Sequence, residues 1–108
     1  TFSVDRSRPM NYNQRMKFEW DADKSDFCFK ERGFDFAYAL RAFLDPKRIV
    51  RKDTRWSYGE DRYQMLGVIE HRVFVVVYTI RSSAIRIISA RKANQREVTD
   101  YEDYTSDD

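Results

Sequence analysis

Apolar and polar positions along this chain change period more than once, and each change marks a new element. Residues 16–20, Met-Lys-Phe-Glu-Trp, alternate apolar with polar, the period of a half-buried strand. Asp21 follows as an N-cap for a first helix running through Phe27, Cys28 and Lys30, and Gly33 supplies a left-handed stop. Asp35 is placed to cap a second helix, in which Phe36, Ala39, Leu40, Phe43 and Leu44 recur at helical spacing until Pro46 prevents continuation. So short a link between them predicts a helical hairpin or elbow covering one face of a sheet.

Beyond Pro46 the signals are those of strands, over residues 48–53, 62–69, 73–80 and 84–90. The gaps Glu70-His71-Arg72 and Arg81-Ser82-Ser83 are polar and of hairpin length, which predicts an antiparallel meander for the last three strands. Neither gap carries Asn-Gly, so the turn type stays open. Residues 73–78 are apolar on both faces and therefore predict the central strand, covered on both sides. Asn94 with Glu97 three residues on resembles a capping box, opening a terminal helix that is one candidate for the second cover. The fold class that emerges is α+β: an N-terminal strand and two helices packed on an antiparallel sheet, with a C-terminal helix. Residues 16–104 are read as one domain, 1–15 as an N-terminal extension and 105–108 as an acidic tail.

Composition narrows this picture. A chain of 108 residues with 42% hydrophobic side chains fills one packed core and is too short for two. Its longest unbroken apolar run, residues 73–78, is far below the roughly 20 residues of a spanning helix, and residues 1–15 hold no apolar signal core. A single cysteine, Cys28, closes no internal disulfide and makes no structural zinc site, so a reducing cytoplasm is the expected location. The net charge of +2 hides an asymmetry: residues 47–96 carry twelve Lys/Arg against four acids, and residues 97–108 carry six acids and no base. A basic body suits a polyanion such as RNA, although basic side chains also simply solvate surfaces.

The placed segments carry a resemblance. Trp20-Asp21-x-x-Lys24, Gly33-x-x-Phe36, Phe43-Leu44-Asp45-Pro46, Ser57-Tyr58-Gly59-Glu60-x-Arg62-x-x-x-x-Gly67 and Ile85-Arg86-Ile87-Ile88-Ser89-Ala90-Arg91 are together similar to the BrnT toxin family. The resemblance implies a ribonuclease toxin with a RelE-like fold, held inactive by a BrnA antitoxin whose DNA-binding domain represses the operon. The chain departs from the family at Cys28, where an Asn is usual, and at Glu31-Arg32, where Lys-His is usual; roles attached to that histidine do not transfer.

A metal-independent ribonuclease positions a 2′-hydroxyl for in-line attack, stabilises charge on the phosphoryl oxygens and protonates the departing 5′-oxygen. Arginine suits the second task, and Arg86 and Arg91 are the first candidates, with Arg62 beside them. Five apart, Arg86 and Arg91 face opposite sides of an unbroken strand, and share a site only if a bulge or the strand end re-aims Arg91. The alternative for Arg86 is an ion pair with an acid such as Glu60. Glu60 itself is read either as a base or as an orienting partner of Arg62. Lys24 is either a phosphate contact or a solvated helix position. Lys92, Arg51, Arg55, Trp56 and Tyr58 are the further RNA-contact candidates, the last two by stacking on unpaired bases, whereas Trp20 is read as core. His71, the only histidine, falls in a turn. With one His and one Cys the sequence offers no metal constellation, and its three scattered glycines form no phosphate loop, so no cofactor is expected. The competing function is a non-catalytic RNA- or protein-binding regulatory module.

Overall fold

A computed structural model describes residues 17–54 and 59–106. Strand β1 (Lys17–Trp20) leads into helix α1 (Ala22–Arg32). Asp21 caps α1 as its spacing predicts, Oδ1 accepting from the amides of Asp23 and Lys24 at 2.8 and 3.2 Å, and Gly33 ends it at φ 86°. The buried Ser25 hydroxyl accepts from the Phe36 amide at 3.0 Å, which fixes where the second helix starts.

That second helix is shorter than its apolar spacing predicts. Only α2 (Phe36–Ala39) is α-helical, and residues Leu40–Leu44 tighten into a 3-10 turn. The cause lies just beyond, where Pro46 forbids continuation and Asp45 is held in extended backbone. Asp45 Oδ1 accepts from Lys47 N, while Oδ2 accepts from Val68 N and the Tyr101 hydroxyl.

Strands β3 (Arg62–Ile69), β4 (Arg72–Arg81) and β5 (Ala84–Lys92) form the predicted meander, β2 (Ile49–Asp53) pairs antiparallel with β3, and the spatial order is β1-β5-β4-β3-β2. The sheet is mixed and not wholly antiparallel, because β1 pairs parallel to β5. No turn joins β1 to its sheet neighbour, so no hairpin constrains its direction. Both hairpin turns have two central residues at positive φ, Glu70-His71 and Ser82-Ser83, the backbone of a type I′ turn built without glycine.

The central strand β4 is covered on both faces, as its apolar run predicts. On one side α1, α2 and the 3-10 turn enclose Cys28, Phe36, Ala42, Met65, Phe74, Val76, Tyr78, Ile85 and Ile87. Trp20 packs against this core, edge-on to Phe36 with centroids 6.5 Å apart. On the other side helix α3 (Gln95–Thr105) lays Val98 and Tyr101 on Leu66, Val73, Val75 and Ala93. Its Asn94–Glu97 capping box is present in both directions. Among the described residues no helix is long and apolar enough to cross a membrane.

Candidate functional site

Helix α3 packs on only part of its sheet face, and beyond it the face is mostly polar. Register places one residue from each strand in a single row across it: Glu19, Arg86, Thr79, Arg62 and Asp53, from β1, β5, β4, β3 and β2 in turn. A second row beside it holds Ser89, Val77, Gln64 and Arg51.

One irregularity decides which arginines meet. Val77 pairs with Ser89 but Tyr78 pairs with Ile87, so Ile88 is an extra residue bulged out of β5. Arg86 then lies opposite Thr79 and Arg91 opposite Val75, positions four apart on one strand and so on one face. The bulge thus brings Arg86 and Arg91 together with Arg62 and Arg51.

Each of these guanidiniums meets a carboxylate. Arg86 Nη1 donates to Glu19 Oε2 at 3.2 Å. The expected alternative partner, Glu60, instead faces Arg81 at 3.2 Å and Arg62 at 3.6 Å. Glu19 lies opposite Arg86 through the parallel pairing of β1, whereas Glu60 sits before β3, two strands away. Arg51 donates from Nε to Gln64 at 2.8 Å and from Nη1 to Asp100 at 3.2 Å. Arg91 gives both terminal nitrogens to Glu97, at 2.7 and 2.8 Å. These hydrogen bonds hold the Glu97 carboxyl below its ordinary range although burial acts the other way. Midway along α3, burial and then the Asp45 bond push the Tyr101 hydroxyl up.

The arginines therefore divide by role. Arg91 clamps α3 to the sheet. Arg86 and Arg62 flank Thr79, whose small side chain is buried and donates to the Asp61 carbonyl at 2.6 Å. At the usual strand spacing the backbones of Arg86 and Arg62 stand about 10 Å apart, so two long side chains could close on one phosphate above Thr79.

Other predicted residues lie elsewhere. Lys24 lines a cleft on the helix side, between α1 and residues 88–90 of β5. Lys92 is opposite Phe74 and so also faces the helix side. His71 is exposed at the β3–β4 turn. Arg55, Trp56 and Tyr58 lie outside the described residues. Cys28 is buried, its thiol donating to the Ala90 carbonyl at 3.5 Å and pushed up by burial. Among the described residues no three His, Cys, Asp or Glu side chains cluster as metal ligands.

Sequence reasoning passed over Glu19, Thr79, Gln64 and Asp100. Alternation over residues 16–20 does put Glu19 on the polar face of its strand, but only the pairing of β1 with β5 brings it to Arg86. No curated protein matches the chain. The family model described as the ribonuclease toxin BrnT of a type II toxin-antitoxin system matches residues 20–97, a span that contains Arg86, Arg62, Thr79 and the Arg91–Glu97 clamp. The chain therefore belongs to the BrnT family of ribonuclease toxins of type II toxin-antitoxin systems.

Proposed function

We propose that this protein is a RelE-like toxin that cleaves RNA without a metal ion, in the cytoplasm, at the row of Glu19, Arg86, Thr79 and Arg62. The observation that carries this reading is the row itself: two partly exposed guanidiniums on either side of a small residue, on the part of the sheet face beyond α3. Arg86 and Arg62 grip the phosphoryl oxygens and stabilise the charge that builds in the transition state. Glu19, which uses Oε2 on Arg86, takes the 2′-hydroxyl proton with its other oxygen. The 2′-oxygen bonds to phosphorus as the bond to the 5′-oxygen breaks, leaving a 2′,3′-cyclic phosphate, and the departing oxygen takes a proton from water. Arg51 holds the neighbouring nucleotide's phosphate, and Glu60 orients Arg62.

In the same reading growth stops when the toxin is unopposed. A BrnA-like antitoxin neutralises it by laying an acidic segment over the arginine face, where opposite charge both speeds capture and masks the site. The hetero-oligomer then binds operator DNA through the antitoxin. The test is purified protein incubated with naked single-stranded RNA, with and without chelator. Products ending in 2′,3′-cyclic phosphate are expected in both, and Arg86→Lys, which keeps the charge but loses the planar fork, is expected to lose at least about a hundredfold in turnover. Activity that needs an added divalent ion would remove this mechanism, and intact Arg86→Lys activity would remove Arg86 from it.

A further inference from the structure

Lys92 lies away from the arginine row but not in a featureless place. It shares a cleft of about 410 Å³ with Phe29, Phe34, Tyr38, Phe74 and Arg32. Phe34 and Phe74, with ring centroids 5.0 Å apart, are buried and make its floor, and Tyr38 lies 6.1 and 5.9 Å from them. Phe29, in the last turn of α1, stays 59% exposed at the edge of this cluster.

The charge around the cleft is as telling as its rings. Two cations, Arg32 and Lys92, face one carboxylate, Asp35, whose Oδ1 is already used by the Tyr38 amide. The cleft on the opposite flank of α1, beside Phe27, instead sets Asp21 and Asp23 against Lys24 and Arg32 and carries no surplus of positive charge. Aromatic walls with a net cationic lining hold an unpaired nucleotide, its base against the rings and its phosphate on the cations. An uncharged protein segment would fill the same apolar space but gain nothing from the surplus charge.

The position suits a strand that also lies on the arginine row. β1 covers β5 only as far as Ile87, and Arg91 and Lys92 are successive residues on opposite faces of β5. RNA leaving the arginine row past the end of β1 rounds this edge of β5, clear of α3, and reaches the side on which Lys92 lies. Resting on the ribonuclease reading of this chain, we infer that the cleft of Phe29, Arg32 and Lys92 is a second RNA subsite, binding one unpaired nucleotide away from the scissile phosphate.

The experiment measures binding of a short single-stranded 2′-O-methyl RNA, which cannot be cleaved, by fluorescence anisotropy. Phe29→Ala and Lys92→Ala should each weaken binding, the former about tenfold, with unchanged melting temperature, and Phe29→Trp should keep it. Phe27→Ala, equally exposed at 59% on the other flank, should bind as wild type. A 2-aminopurine placed along the RNA should change its emission at one position, and Phe29→Ala should abolish that change. Wild-type binding by Phe29→Ala overturns the subsite, as does an equal loss from Phe27→Ala. A Phe29→Ala that keeps RNA affinity but loses affinity for the antitoxin makes the cleft a protein-docking surface and also overturns it. Cleavage by Arg86→Lys tests the arginine row independently, so either reading can fail alone.

Discussion

Glu97 receives both terminal nitrogens of the Arg91 guanidinium, and its Oε1 also accepts the Asn94 amide at 2.9 Å. One carboxylate thus starts α3 and ties it to β5. Its side chain is only 10% exposed, so removing its charge strands a half-buried guanidinium against the sheet. Glu97→Gln is expected to cost about 2–3 kcal/mol, read from urea melts. A cost near zero would show that α3 is held by its apolar side alone.

The same pair sets an acid limit. Because Arg91 holds the folded-state Glu97 carboxyl below its usual value of 4.5, its contribution is complete above that pH. It is then lost as pH falls through the lower folded-state value. Stability of the wild type should therefore fall more steeply below pH 4.5 than that of Glu97→Gln. Parallel acid profiles would contradict this.

Gly67 owes its place to a close approach. A Cβ there would stand 2.5 Å from the Ala42 carbonyl oxygen and 3.1 Å from Met65 Sδ. The sulfur can move, but the carbonyl belongs to the 3-10 turn packed on β3. Gly67→Ala should destabilise by about 3 kcal/mol and lower the melting temperature by roughly 10–20 °C. A melt within a degree or two of wild type would mean that the turn slides freely.

Much of this fold was readable because it is locally encoded. Asp21, Asp35 and the Asn94–Glu97 box mark helix starts through contacts spanning three residues, and the two-sided apolar run marks β4 as central. What escaped is encoded at long range. Glu19 and Arg86 are 67 residues apart and meet through a parallel pairing that no hairpin announces. The bulge at Ile88 carries no glycine, so nothing in the pattern said whether Arg86 and Arg91 share a face. The acidic end of the chain read as opposing the basic body, yet Glu97 and Asp100 are partners of Arg91 and Arg51.

RNA affinity should depend on salt through few contacts. Three partly exposed guanidiniums, those of Arg51, Arg62 and Arg86, stand on the arginine face. Three phosphate contacts to a single strand too short to reach the Lys92 cleft give a log–log slope of about −2, so a fourfold rise in salt should weaken binding roughly fifteenfold. A flat response would favour a protein-binding module over an RNA-cleaving one.

Glu19 separates two accounts of the Arg86 pair. If its carboxylate takes the 2′-hydroxyl proton, Glu19→Gln keeps an amide oxygen for Arg86 but removes the proton acceptor. Turnover should then fall about 10²- to 10⁴-fold, and the acid limb of the kcat/KM profile should disappear. If the carboxylate only steers the guanidinium, Glu19→Gln should keep most of the turnover and the acid limb. Stability does not confound the comparison, because the Glu19 and Arg86 side chains are 44% and 30% exposed, and such pairs contribute at most about 1 kcal/mol. Wild-type turnover with an intact acid limb would leave Glu19 as a positioning residue. The proton would then have to go elsewhere, with Glu60 as the next carboxylate to test, since it meets Arg62 from the other side of Thr79.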